Sequence, residues 1–399
     1  MLFPTLLLLS FLTGLRELGY KPSSVTTDTT SLGNLQVPTV GIGTISWSST
    51  NPLALENAQL QALVDTAVRK NAAFFDTAER YGSHYKTAIG MGWGETERLT
   101  RRLIDQAPPS SHQQPIVATK FTPSPWRTTV DSVVEACRQS CERLNVDQID
   151  LYQLHMPDIV QPLRFLGQDK SKDEVYWQGL AECHRLGLAK NVGVCNYGPS
   201  LLRKCQETLD RYNVPLASNQ IAYSLIGRHN GAQETVDYCN ENDIKVLAFF
   251  PFAMGLLTGK YSVVDPNANN MASELSLFQS QKTLLEERDL RRFAAGDGVS
   301  PGMAPLLSVM SDIAQTRRKS LAQIALNYII CQGAIPIPGA RTSAQLSDNL
   351  GAMGWRLTKS EIARLEEAAN QVGAGFDGAG FKRTSEKFVG YGVEKWTLN

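Results

Sequence analysis

The sequence predicts an α/β fold, a (β/α)8 barrel of the TIM type, with long loops at its C-terminal face and an added C-terminal helix. Two observations predict it. From Val37 onward, eight short apolar runs alternate with amphipathic segments; such alternation gives parallel strands joined by right-handed crossovers. Several runs are almost continuously apolar, as strands covered on both faces are. The count of eight favours a closed barrel over an open doubly wound sheet.

The first expected strand is Val40–Thr44, followed by a helix over Glu56–Lys70 with Leu60, Leu63, Val64 and Ala67 on one stripe. Strands follow at Ala73–Thr77 and Ile116–Phe121, then a helix at Thr128–Leu144 with Val133, Val134, Cys137, Cys141 and Leu144 inward. Strands at Ile149–His155, Asn191–Asn196, Ala217–Tyr223 and Lys245–Pro251 alternate with helices at Glu174–Leu186, Pro199–Tyr212 and Gln233–Asn242. Helices at Leu321–Cys331 and Ser343–Met353 flank the last strand, Ala334–Gly339, and Glu361–Ala369 is the added helix. Two stretches break the rhythm, Met156–Ser171 after the fourth strand and Ala253–Gly302 after the seventh. Both emerge at the face where barrel enzymes carry binding loops.

The barrel spans residues 35–370, and residues 371–399 form a Gly-rich, irregular tail. Residues 1–30 stand apart: Met1–Leu15 is apolar and uncharged, and Ser23–Ser31 is rich in hydroxyls. That order suits a plastid (chloroplast) transit presequence; a secretory signal is the main rival and a cytoplasmic location the third reading. The apolar part is short for a membrane span, so no stable span is expected in the mature protein.

Lys and Arg balance Asp and Glu at 39 each, which argues against nucleic acid or an anionic membrane as partner. Seven cysteines, an odd number without a C-x-x-C pair, favour a reducing compartment and thiols packed as small apolar groups. No metal site is expected. No G-x-G-x-x-G follows the first strand, and P-loop and G-x-S-x-G patterns are absent.

The candidate catalytic residues end three successive strands: Asp76 and Tyr81 at the second, Lys120 at the third and His155 at the fourth. Singly, each has a structural reading as turn cap, loop aromatic, surface charge or core imidazole. Strand ends in a parallel barrel lie side by side, and together the four suit proton donation to an oxygen. A lysine cation favours the phenolate of a tyrosine whose ordinary pKa is ~10. A buried lysine needs a counter-ion, which Asp76 can supply. A neutral imidazole can donate to a carbonyl.

Phe75-Asp76-Thr77-Ala78-Glu79-Arg80-Tyr81-Gly82, Thr119-Lys120-Phe121, Asp150–His155, Gly193–Tyr197, Ser218-Asn219-Gln220 and Ile335–Arg341 together resemble the aldo-keto reductases in order and spacing. The chain is most similar in flavour to plastid-type plant and algal members and to the potassium-channel β-subunit branch. The resemblance implies an NADPH-dependent reductase of aldehydes or ketones, with Tyr81 as general acid, Lys120 and Asp76 tuning it, and His155 orienting the carbonyl. It implies NADPH/NADP+ bound across the barrel mouth by Gly43, Thr44, Asp76, Cys195, Asn196, Gln220, Phe249, Phe250, Pro251, Gly255, Leu257, Lys260, Ile337, Gly339, Ala340, Arg341, Gln345 and Asn349. Asn196 and Gln220 match carboxamide positions, Phe249 a ring-stacking position and Arg341 a 2′-phosphate position. Trp47 and Trp126, with Tyr81 and His155, are substrate-pocket candidates, although large aromatics are also ordinary core residues. Two positions depart from the common pattern: Cys195 stands where Ser is frequent, and Phe249-Phe250-Pro251 where Tyr-Ser-Pro is. The expected partner is a small carbonyl compound. The alternative is an NADPH-binding regulatory or redox-sensing subunit with little turnover.

Overall fold

In the computed structural model the described residues are 28–47, 57–82, 93–109, 114–158, 171–229, 231–261, 294–295 and 302–372. Eight parallel strands form one sheet in sequential order: β3 (Ile42–Gly43), β4 (Phe74–Asp76), β5 (Ile116–Phe121), β6 (Ile149–Leu154), β7 (Ala189–Cys195), β8 (Leu216–Ala222), β9 (Lys245–Phe249) and β10 (Ile335–Pro336). The sheet closes on itself. Gly41 and Gly43 donate to the carbonyls of Pro336 and Pro338 at 3.0 Å each, and Gly43 bridges Gly339 in parallel. This is the expected (β/α)8 barrel.

Helices α1 (Asn57–Arg69), α2 (Glu95–Gln106), α3 (Val130–Leu144), α4 (Asp173–Arg185), α5 (Pro199–Asp210), α6 (Ala232–Glu241), α7 (Ala304–Arg317), α8 (Leu321–Cys331), α9 (Ser343–Leu350) and α10 (Lys359–Asn370) accompany it. Their starts follow local chemistry. Thr129, Ser320 and Thr358 form capping boxes with Ser132, Gln323 and Glu361, each satisfying two backbone donors at a helix start.

Three features differ from the sequence expectation. A hairpin, β1 (Thr29–Leu32) and β2 (Leu35–Pro38), precedes the barrel. Its Leu32 and Val37 join Phe74, Ile116, Ala118, Leu151, Leu247 and Ile335 in one apolar cluster. Helices α2 and α7 were not anticipated. The last strand is two residues long rather than six, because Pro336 and Pro338 lack the N–H a ladder needs. Most of the two long expected loops (159–170, 262–293 and 296–301), the presequence through residue 27, and the tail from 373 lie outside the described residues. All seven cysteines are free, and six of them are buried.

Candidate active site

Side-chain alternation builds the site. In β5, Ile116 and Ala118 belong to the cluster shared with the hairpin, while Phe121 packs against the helical layer. With a period of two, Lys120 shares the inward face and Thr119 the outward one. Lys120 is fully buried, so its charge requires partners. Its Nζ donates to Asp76 Oδ2 at 2.6 Å, to the Thr77 carbonyl at 2.8 Å and to Tyr81 Oη at 3.1 Å. Asp76 Oδ1 accepts from Gln220 Nε2 at 2.9 Å and Gln153 Nε2 at 3.3 Å. One carboxylate thus ties β4 to β5, β6 and β8.

Gly193 leaves room beside this convergence. A Cβ there would lie 2.1 Å from Ser218 Oγ, 3.1 Å from the Ser218 carbonyl and 3.3 Å from Gln153 Cγ, so a side chain on β7 at this point would collide first with β8 and crowd the glutamine.

The Asp76–Tyr81 turn is held by continuing the strand ladder past β4. Thr77 N–H donates to Ala118 O at 2.8 Å, Glu79 N–H to Lys120 O at 3.4 Å and Tyr81 N–H to Ala78 O at 3.1 Å. The Glu79 side chain turns outward and accepts from Thr122 N–H at 2.6 Å and from Arg127 at 2.5 Å. Tyr81 and His155 rings meet edge-on with centroids 5.7 Å apart, so all four expected catalytic residues are brought together.

Their electrostatics suit donation. Burial raises the Tyr81 phenol to about 12; the Lys120 cation acts in the opposite direction and is outweighed. The sequence expectation that lysine draws this pKa down gives the right sign for Lys120 alone. Burial dominates, and the phenol stays protonated at neutral pH. Burial opposes the charge on Lys120, but Asp76 first and Tyr81 second raise its pKa overall. Burial, then Lys120 and Arg80, hold His155 well below the usual imidazole range, so the ring is neutral.

The expected cofactor residues also gather at the C-terminal ends of the strands. Thr44 donates to Asp76 O through both N–H and Oγ1 at 3.0 Å, fixing β3 to β4. Asn196 adopts φ +63°, its Nδ2 donates to His155 O at 3.4 Å, and its buried Oδ1 has no partner among the described residues. Cys195 is buried and directs Sγ at Gln153 Oε1, 3.8 Å away. Phe249 packs on Phe250 at 5.0 Å, and Phe250, 43% exposed, holds φ +55°. Pro251 leads into a 3-10 segment, Ala253–Thr258, containing Gly255 and buried Leu257; the Lys260 ammonium lies 5.1 Å from the Tyr261 ring.

Ile337 N–H donates to Ala248 O at 2.8 Å, seating the chain beyond β10 on β9. Gly339 follows, where an added Cβ would meet nothing within 4 Å. Arg341 N–H donates to Gln345 Oε1 at 2.8 Å, Thr342 caps α9, and Asn349 Nδ2 donates to Gly339 O at 3.4 Å; Ala340 is buried beneath this turn.

The two tryptophans part company. Trp47 is 1% exposed and packs edge-on against Phe75 at 5.9 Å, a core position. Trp126 is 50% exposed beyond β5. Sequence reasoning passed over Gln153, Glu79 and Thr122. The signal for Gln153 was a polar residue inside an apolar strand, two positions before His155.

At the strand ends of a parallel barrel, a buried Lys–Asp pair thus lies against a tyrosine and a histidine held neutral by burial, an arrangement suited to handing a proton to an oxygen. The chain belongs to the aldo/keto reductase family, whose model matches residues 39–370. Among similar proteins, the chloroplastic pyridoxal reductase of Arabidopsis thaliana is 35% identical over 346 residues, covering 85% of each chain. Deoxymugineic acid synthase 1 of Oryza sativa subsp. japonica is 27% identical, covering 82% of this chain and 86% of its own. A solved thermostable aldo-keto reductase superposes with a TM-score of 0.59 at 20% identity, over 85% of this chain and 99% of that one. The Bombyx mori aldo-keto reductase solved with NADP gives 0.56 at 21%, over 86% and 94%.

Proposed function

We propose that this protein is an NADPH-dependent reductase of aldehydes or ketones in which Tyr81 is the proton donor. The observation that carries the reading is the Lys120 ammonium bridging Asp76 Oδ2 and Tyr81 Oη inside the barrel mouth. A phenol raised to about 12 is a protonated donor at neutral pH, and the adjacent cation stabilises the phenolate as the proton leaves. His155, neutral, donates to the substrate carbonyl and sets its direction.

The cofactor fits the residues present. The partnerless Asn196 Oδ1 offers a buried acceptor for a carboxamide. Gln220 commits its amide nitrogen to Asp76, leaving its oxygen to accept. The open approach at Gly339 and the α9 N-terminus suit phosphate oxygens, and Arg341 suits a 2′-phosphate. Bound there, NADPH supplies the hydride. Phe249 would stack, while Phe250, without a hydroxyl, would offer backbone only.

Pyridoxal is the first substrate to test, because a pyridoxal reductase is 35% identical across 85% of the chain. The same similarity, to a chloroplastic protein, supports a plastid location with residues 1–30 as presequence and 35–370 as the working barrel. The test is NADPH oxidation against a panel of aldehydes including pyridoxal, with Tyr81→Phe beside the parent. Tyr81→Phe is expected to lower kcat by about 10²–10⁴-fold, the worth of a general acid, with NADPH affinity kept. Equal rates would remove Tyr81 from the role. Tight NADPH binding without turnover of any aldehyde would support the regulatory alternative instead.

A further inference from the structure

We propose that Thr122 is a positioning residue that fixes the tautomer of His155, its hydroxyl donating to Nδ1 so that the ring proton sits on Nε2. The proposal rests on the reading of His155 as carbonyl donor and explains what makes the ring one.

A neutral imidazole has one N–H and one lone pair. If the proton sat on Nδ1, the Nε2 edge would meet a carbonyl oxygen with a lone pair, and the two would repel. A hydroxyl beside Nδ1 can accept from an N–H or donate to a lone pair; where it donates, the ring proton is held on Nε2 and His155 can donate through it. Thr122 Oγ1 lies 3.4 Å from His155 Nδ1. Thr122 is 1% exposed, and its place is fixed from both sides of its peptide. Its N–H donates to Glu79 Oε1 at 2.6 Å. Its carbonyl accepts from Ser124 Oγ at 3.3 Å and Arg127 at 3.4 Å. His155 is seated on the same strand end, its N–H donating to Phe121 O at 2.8 Å. The hydroxyl and the ring therefore hang from neighbouring, mutually bonded backbones. The groups bearing on the ring from other elements are the cations Lys120 and Arg80, both of which oppose its charging, and the Tyr81 ring.

Glu79 thereby gains a meaning in the Asp76–Tyr81 motif. Its carboxylate reaches away from the reacting groups and grips the residue that orients His155. The motif that carries the acid also sets the height of Thr122.

The experiment is nitrogen NMR on ¹⁵N-histidine-labelled full-length protein. The sequence holds five histidines, and the His155 signals are identified by their loss in His155→Gln. In the parent, His155 is expected to show a protonated Nε2 and an unprotonated Nδ1. Thr122→Val keeps the branched shape and loses the hydroxyl; the two tautomers should mix, and kcat for aldehyde reduction should fall about tenfold, the worth of one neutral hydrogen bond. Thr122→Ser should restore both. A parent proton on Nδ1, or an unchanged His155 spectrum in Thr122→Val, overturns the proposal. Full turnover by His155→Ala would instead overturn the reading of His155 as donor, and it is separable because the parent's tautomer is read without substrate.

Discussion

Two buried ion clusters stand back to back across β5, and they are built differently. On the inner side, Lys120 meets Asp76 at 2.6 Å, and its remaining protons go to Thr77 O and Tyr81 Oη. On the outer side, Thr119 donates to Glu97 at 2.6 Å, Glu97 meets Arg143 at 2.5 Å, and Glu79 meets Arg127 at 2.5 Å. The Arg127 guanidinium also lies over the rings of Trp93 at 4.6 Å and Phe121 at 5.0 Å. The inner cluster uses a lysine, a compact charge that can sit beside a tyrosine oxygen. The outer one uses arginines, whose planar forks hold carboxylates and stack on aromatic faces. Neighbouring residues of one strand thus place a compact charge beside a phenol on one face and anchor a brace on the other.

The sharpest way to break that contrast is Lys120→Met. It leaves Asp76 buried without its cation and Tyr81 without its stabiliser. Turnover should fall by about 10²–10⁴-fold, and the unfolding free energy by about 3–5 kcal/mol, the cost of stranding a buried charge. Urea melts and NADPH oxidation, run side by side, measure the two losses. A variant that keeps either one would show that the pair is less integrated than its geometry implies.

Glu97→Gln asks the converse question. Glu97 is fully buried, bonded to Arg143 and Thr119. The amide keeps its shape and takes the close charge away from Arg143, which keeps Ser140 at 2.9 Å and the longer pairing with Glu79 at 3.9 Å. Stability should fall by about 3 kcal/mol, while kcat changes less than it does in Tyr81→Phe. If kcat fell as far as in Tyr81→Phe, the outer cluster would belong to the chemistry and the contrast would fail.

The same contrast explains what could be read in advance. Asp76, Tyr81, Lys120 and His155 lie in short local strings at strand ends, so the sequence places them before any packing is known. Glu79 lies in one of those strings too, yet its role depends on which way its side chain turns after β4 and on Thr122 being there to meet it. Gln153 needs the registers of β6 on β5 and of β5 on β4, and the room that Gly193 leaves. Helix α2 escaped because only Leu99, Leu103 and Ile104 of its twelve residues are apolar, too thin a stripe for periodicity to show. The hairpin escaped because its buried apolar residues, Leu32 and Val37, with Leu35 packed partly against them, cover the barrel interior from strands four residues long. The partition of Trp47 into the core and Trp126 toward solvent is likewise a matter of tertiary contact, which a single aromatic in a sequence does not disclose.

The smallest expected effect separates the clusters by acid. His155 sits on the inner side under the cations Lys120 and Arg80, with its pKa held well below the usual value. Glu79, on the outer side, has its pKa raised by burial against the lowering pull of Arg127. The signs are opposite. Below about pH 6.5 the unfolded chain protonates this histidine and the folded chain does not, so its contribution to stability is lost as pH falls from there toward the depressed folded value. For Glu79 the folded chain holds the proton more tightly, so its contribution is lost as pH rises above the ordinary carboxylate range. Comparing the parent with His155→Gln at each pH cancels the carboxylates and leaves the histidine. Between pH 6.5 and 5.5 the parent should lose stability faster than the variant by at most about 1.4 kcal/mol per pH unit, one proton's worth. Parallel curves would mean that His155 takes up its proton over this range in the folded protein as it does in the unfolded one, and the depressed pKa assigned to the inner cluster would have to be abandoned.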